Sequence, residues 1–318
     1  MGRQGASDMD MDMDMDMDMD MDQSHGSGLG ITVQNSGVYA TLLNGGRFPG
    51  EPGDPKDPAY RNAEAAANAV SYPEFWNPEL RAYVYLDEFL RAFPNWQNRL
   101  IEAIEGRNRV KENLYTKLQK EKGAQLRQVL ELSDERDKRY AEIIDQHGAE
   151  GVIKYWLRML HITPGNAPAT HQVVRIARRL GEHVVMCLKE HYHVARPSQV
   201  SPAIMPLVEV PLHPSFPSGH ALQSRLISLC LSITGRVRNQ PEMLFRLSDR
   251  VAENRIIAGL HYPLDNEAGV AAAEACFELL NDGTKCPMFK ELVQDAENES
   301  KRQLESRAER RRRDGYPS

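Results

Sequence analysis

Three short clusters of chemistry-bearing residues constrain this chain most: Lys189 with Arg196-Pro197, then Pro217-Ser218-Gly219-His220, then Arg255 with His261 and Asp265. A lone Lys or Arg is ordinary solvated surface. Three cations combined with two histidines, a glycine turn and a carboxylate have the composition of a site that grips a tetrahedral oxyanion from several sides. Lys189 and Arg196 lie in a segment of helical periodicity at a spacing of about two turns, which puts them on one helix face. Pro197 disfavours helix at the residue before it, so Arg196 is expected where that helix ends. Pro217-Ser-Gly-His reads as a tight turn feeding the apolar stretch Ala221 to Leu231, with the amides around Ser218 and Gly219 at a helix N-terminus, a ready anion seat. If Lys189, Arg196 and Arg255 converge to roughly 6 Å at an effective dielectric of about 20, each pair repels by roughly 3 kcal/mol. A multiply charged ligand offsets that repulsion.

The ordered pattern Lys-x6-Arg-Pro, Pro-Ser-Gly-His and Ser-Arg-x5-His-x3-Asp is met at 189–197, 217–220 and 254–265, with Asn254 where the third motif usually has Ser. These residues resemble the superfamily that unites type 2 phosphatidic acid phosphatases, bacterial acid phosphatases and vanadium-dependent haloperoxidases. The resemblance implies an all-α helical bundle of that type. It also implies that Lys189, Arg196, Ser218, Gly219 and Arg255 bind the equatorial oxygens of phosphate or of its analogue vanadate, with His261 on the apical axis. In a phosphatase, His261 attacks phosphorus to give a phosphohistidine, His220 protonates the leaving oxygen, and Asp265 holds His261 in the nucleophilic tautomer. In a haloperoxidase, His261 ligates the vanadium of vanadate, and His220 bonds the apical oxygen and moves protons to or from peroxide while halide is oxidised to a hypohalous species. One frame serves both because vanadate mimics the trigonal-bipyramidal transition state of phosphoryl transfer.

Two features favour the haloperoxidase branch. His213 precedes His220 in His-Pro-Ser-Phe-Pro-Ser-Gly-His, at the offset where vanadium bromoperoxidases carry a second histidine near the cofactor and chloroperoxidases an aromatic residue. The bland reading of His213 is a loop histidine bonding backbone beside Pro214. The flanking Arg196–Ala203 and Glu253–Pro263 segments also look more like the soluble bacterial haloperoxidase-like branch than like lipid phosphatases. The second feature is hydropathy. A lipid phosphatase of this superfamily builds its site among membrane helices of about 18–20 apolar residues, and the best candidate here, Leu226 to Thr234, is bounded by Arg225 on one side and Gly235-Arg236 on the other. It reads as a buried helix of a soluble protein. No N-terminal stretch has the form of a secretory signal, so the expected location is cytoplasmic.

The expected activity is therefore bromide or iodide oxidation by hydrogen peroxide on a vanadate cofactor. The alternative is a soluble phosphomonoesterase or pyrophosphatase that needs no cofactor and acts on a phosphate ester. A non-catalytic anion-binding protein would be signalled by loss of a core site residue, and none is lost. A homo-oligomer is left open and nucleic acid is not expected as a partner.

Composition sets the rest. The chain has 318 residues, 41% hydrophobic and a formal charge of −6, of which residues 1–22 contribute −7. Seven Met-Asp repeats from Met9 to Asp22 make that acidity a property of the tail, and an isolated acidic repeat with no partner sheet is expected to stay disordered. Cys187, Cys230, Cys276 and Cys286 show no C-x-x-C pairing and read as packed thiols; zinc is not implied. The expected organisation is a disordered tail (1–27), an extended segment (28–57), a helical catalytic domain (58–295) and a charged C-terminal tail (296–318). Within the domain, periodicity predicts helices over 63–69, 78–93, 96–132, 149–161, 170–195, 219–234, 241–259 and 266–281, with breaks at Gly148, at Pro164-Gly165 and over a long loop between Pro197 and Pro217. The charged run from Arg107 to Lys138 reads as an amphipathic helix or pair, with a coiled coil as second choice. Arg310 to Arg313 ends a segment mixed with acids, which favours a solvated helix end over a nucleic-acid contact.

Overall fold

Proline and asparagine punctuation starts the helices. The computed structural model describes residues 76–106, 113–148, 151–237 and 240–313; the expectations for the Met-Asp tail, the extended segment and the Ala-rich helix at 63–69 lie outside them. Eleven helices run through the described residues: α1 (Pro78–Ala92), α2 (Trp96–Glu105), α3 (Leu114–Leu132), α4 (Arg136–Asp145), α5 (Lys154–Met159), α6 (Pro168–Tyr192), α7 (Pro197–Val200), α8 (Gly219–Ser232), α9 (Pro241–Ile257), α10 (Pro263–Leu280) and α11 (Pro287–Arg313). Proline opens α1, α6, α7, α9 and α10, where its missing N–H is one that no intrahelical carbonyl would accept and its fixed φ suits the first turn. Asn77 and Asn113 cap α1 and α3 by accepting the Glu79 and Thr116 amides, each at 2.8 Å. No strand occurs among the described residues, so the protein is all-α there.

The apolar stretch Ala221–Leu231 becomes α8, and most of it is buried, with Ala221, Leu222, Leu226, Ile227, Cys230 and Leu231 all in the core and Gln223, Arg225 and Leu229 partly exposed. A helix that buries most of its faces belongs at the centre. Accordingly α8 packs against α6, α9 and α10; α1 and α11 cover α6, α2 and α3 lie on α10, and α4 lies on α9. Its buried hydroxyls are satisfied: Ser228 accepts from Trp156 Nε1 at 3.0 Å and donates to the Leu244 carbonyl at 2.9 Å. No helix among the described residues is long and apolar enough to cross a membrane.

The close crossing of α8 and α10 places the chemistry. A Cβ on Gly269 of α10 would stand 2.6 Å from the Ser218 carbonyl oxygen, so only glycine lets α10 come this near the start of α8. There the Ser218 amide donates to the Asp265 carbonyl at 2.9 Å. The second and third sequence clusters are thereby joined through backbone.

Several expected boundaries move. The single helix predicted over 96–132 is divided into α2 and α3: Gly106 takes φ 80, a conformation other residues resist, and Asn113 starts α3. The helix predicted over 149–161 shortens to Lys154–Met159, with turns at 151–153 and 160–161, and residues 149–150 lie outside the described ones. The loop between Pro197 and Pro217 contains α7. The C-terminal helix α11 runs through the boundary expected at 295, and Ala296, Glu299 and Ser300 are buried. Glu299 is held there because its carboxylate accepts the Ala169 and Thr170 amides at the start of α6. All four cysteines are free thiols.

Candidate active site

A cavity of about 230 Å³ opens between the end of α4, one face of α6, the 196–213 segment and the start of α8. Lys189, Arg196, His213, Gly219, His220, Arg255 and His261 all line it. Two of the nine expected site residues do not: Asp265 stands behind His261, and Ser218 caps α8, its Oγ accepting the Ala221 amide at 3.4 Å. Since the Ser218 amide is engaged by Asp265, only Gly219 of the two expected amides remains at the first turn of α8 without a partner of that kind.

Lys189 and Arg196 do not share a helix face. His193 adopts the left-handed conformation at φ 50 and stops α6 at Tyr192. Arg196 therefore reaches the site from the loop as the residue before α7, and its direction is set by backbone carbonyls. Nε donates to His213 O at 3.1 Å and Nη1 to Leu260 O at 3.0 Å. Lys189 Nζ donates to Pro214 O at 2.6 Å and Ser215 O at 2.8 Å. Arg255, from the last turn of α9, is 2% exposed, and its Nε and Nη1 meet no acceptor.

The histidine tautomers follow from obligate donors. His261 Nδ1 lies 2.9 Å from Asp265 Oδ2, so the carboxylate accepts its proton. The same oxygen takes the Ser215 hydroxyl at 2.5 Å and the Tyr262 amide at 3.1 Å. Nε2 of His261 is then bare, and it faces Arg196 Nη1 at 3.3 Å. His213 Nδ1 lies 3.1 Å from Arg196 Nη2 and 3.3 Å from the Pro214 carbonyl, which also accepts from Lys189 Nζ at 2.6 Å and from Arg196 Nη2 at 3.4 Å. His220 Nε2 lies 3.0 Å from the Gln146 carbonyl and must donate to it.

Burial and the clustered cations shift the titratable groups around His261. Burial first, then Arg196, lowers Arg255 to about 10, and burial lowers Arg196 to about 10 against the pull of Asp265. Lys189 is pushed well down by burial and by Arg196. His220 and His261 are held well below their usual range by burial, aided by Arg255 for the first and Arg196, Lys189 and Arg255 for the second. Burial with Lys189 and Arg196 takes His213 to about 4. The Asp265 carboxyl is raised by burial, against the Ser215 hydroxyl, Lys189, the Tyr262 amide and Arg196. An anion among these groups acts in the opposite direction on each cation and histidine, since a nearby negative charge favours the protonated form. Among the described residues no group of three or more His, Cys, Asp or Glu gathers to hold a bare cation. The donors present, and above all the two orphaned nitrogens of Arg255, fit an oxyanion such as vanadate or phosphate.

Sequence reasoning missed Ser215 and Gln146, and marked Asn254 only as a departure from the third motif. Ser215 completes the set of donors to Asp265 Oδ2; it stood inside the His213–His220 run, and its hydroxyl was the available signal. Gln146 and Asn254 act together: Asn254 Nδ2 donates to Gln146 Oε1 and to Glu142 Oε2, both at 3.0 Å, and Asn254 Oδ1 accepts from Arg139 Nη1 at 3.1 Å. His147, next to Gln146, lines the cavity mouth. No model of a known protein family matches the chain, and no curated protein matches its sequence significantly.

Proposed function

We propose that this protein is a vanadate-dependent haloperoxidase that oxidises bromide or iodide with hydrogen peroxide. The observation that carries the reading is Arg255, a buried guanidinium with two unpaired nitrogens in the wall of a cavity shared with Lys189, Arg196 and the bare Nε2 of His261. A buried charge without a partner costs several kcal/mol, and a tetrahedral oxyanion supplies the acceptors it lacks. When bound, vanadate supplies a Lewis-acidic centre that activates peroxide toward halide. The chain's own residues do the rest. Lys189, Arg196, Arg255 and the Gly219 amide neutralise and orient the oxygens. Asp265 keeps the proton of His261 on Nδ1, so Nε2 is the atom that would hold vanadium. His220 takes and returns protons, and His213, fixed on Arg196, sets the polarity where halide approaches.

The same His261 tautomer also suits attack on phosphorus, with Asp265 stabilising the charge that grows on the ring. That supports the second reading, a soluble phosphatase acting on a monoester or pyrophosphate through a phosphohistidine. Orthovanadate separates the two. A haloperoxidase gains bromide oxidation on vanadate loading in the presence of peroxide; a phosphatase hydrolyses esters without vanadate and is inhibited by it. Ester turnover with no gain of peroxidase activity would leave the phosphatase standing.

A further inference from the structure

We propose that the backbone carbonyl of Gln146 is a positioning acceptor that fixes His220 in its Nε2–H tautomer, and that Asn254 and Gly151 hold this carbonyl in place. The inference deepens the proposed function and rests on it for the role of His220. Three observations converge. The His220 Nε2–H points at Gln146 O at 3.0 Å, which leaves Nδ1 as the nitrogen that takes and returns the substrate proton. Gln146 is 1% exposed and ends α4, and its side chain is tied to Asn254 at 3.0 Å. Gly151 lies so close that a Cβ on it would stand 2.7 Å from both the carbonyl carbon and the oxygen of Gln146.

Asn254 is fully buried and every polar function of its amide is used: one nitrogen donates to Gln146 and Glu142, and the oxygen accepts from Arg139. A serine, the residue of the family pattern at this position, has one proton to donate and cannot serve two acceptors at once. The departure at 254 thus has a local cause: on α9 it stands next to Arg255 and links the anion-binding arginine to the element that orients His220. Gly151, Gln146 and Asn254 form one support, drawn from two stretches of chain.

The test reads the tautomer directly. The full chain is labelled with ¹⁵N-histidine, and long-range ¹H–¹⁵N correlations are recorded with His220 assigned by its loss in His220→Gln. The expected parent spectrum shows a single Nε2–H form. Gly151→Ala displaces the carbonyl by crowding it directly, and Asn254→Leu by releasing the Gln146 side chain. Each is expected to give a mixture of tautomers and to lower turnover by about 10- to 100-fold, while orthovanadate affinity stays within about threefold of the parent. A parent His220 in the Nδ1–H form overturns the proposal, and so do folded variants that keep both the parent tautomer and the parent turnover. If a variant does not fold, the parent spectrum decides. Failure of the haloperoxidase reading looks different: a single Nε2–H form in a protein with no vanadate-dependent halide oxidation.

Discussion

Two groups of cations meet along α6, and the fold treats them in opposite ways. Near its start, Arg175, Arg178 and Arg179 close on the Glu79 carboxylate from α1, with Arg178 Nη1 at 3.1 Å and Arg179 Nη2 at 3.4 Å from Oε2. Near its end, Lys189 donates to two backbone carbonyls, Arg196 to carbonyls and histidine nitrogens, and Arg255 of α9 leaves two nitrogens unpaired. The first group is an ion-pair clamp that docks one helix on another. The second carries charge that the protein does not neutralise, although Asp265 is close enough to act on it. Cations kept for structure are given a carboxylate, whereas cations kept for a ligand are aimed and left short of one.

The sharpest way to break this contrast is His261→Ala, which removes the bare Nε2 at the centre of the unpaired group. Turnover is expected to fall on the order of 10⁴-fold in steady-state assays with either substrate class. Full turnover by the folded variant removes His261 from the role given to it.

Exchanging damage between the two groups comes next. Arg255→Met is expected to weaken orthovanadate binding by about 1.5–3 kcal/mol, the range for hydrogen bonds to charged groups, and to leave thermal stability unchanged or higher, because an unpaired buried charge is gone. Glu79→Gln is expected to do the reverse: about 1–3 kcal/mol of stability lost in a denaturant titration, from donors left without their acceptor, and vanadate affinity unchanged. Equal effects of both substitutions on binding and on folding would erase the distinction.

Acid sharpens it further. His171 and His213, lowered to about 4 chiefly by burial, and His220 and His261, held well below 6.5 by burial and neighbouring cations, are neutral in the fold. A depressed folded pKa gives stability that is present above the unfolded value and is lost as pH falls through the folded one. Asp265, raised by burial, has the opposite sign, with stability present at low pH and lost as pH rises through its folded value. Four histidines against one carboxyl predict a melting temperature that falls from pH about 6.5 down to about 4. Sulfate, which keeps its charge over that range, should flatten the fall by favouring protonated cavity histidines. A melting temperature indifferent to sulfate at every pH counts against an anion site.

The smallest expected effect is that of His213→Phe. Its ring contacts Arg196 but supplies neither the apical nitrogen nor a cage charge, so vanadate affinity should stay within several-fold while the ratio of bromide to iodide oxidation changes. An unchanged ratio returns His213 to a loop histidine that orders Arg196.

Apolar spacing and the prolines at helix starts are local signals and made the helical class legible, whereas the gathering of the three clusters was an expectation from the resemblance of their ordered motifs. The route of Arg196 was not legible. His193 stops α6 in a conformation normally marked by glycine, and nothing local announces that a histidine does so. Neither was the support of His220, since Gln146 and Asn254 are 108 positions apart and meet only because α4 lies on α9. The Glu79 clamp is similar: three arginines on one helix read as solvated surface until α1 delivers the carboxylate. Gly106 and Asn113 did mark the break between α2 and α3, but the apolar spacing ran across them.

The most direct measurement is a titration of the folded parent with orthovanadate, followed by heat and by melting temperature. One equivalent should bind, raise the melting temperature and be displaced by phosphate, with binding weakened in Arg255→Met and lost in His261→Ala. A parent that binds neither oxyanion at millimolar concentration, or that binds vanadate equally well without Arg255, contradicts the assignment of this cavity as an oxyanion site.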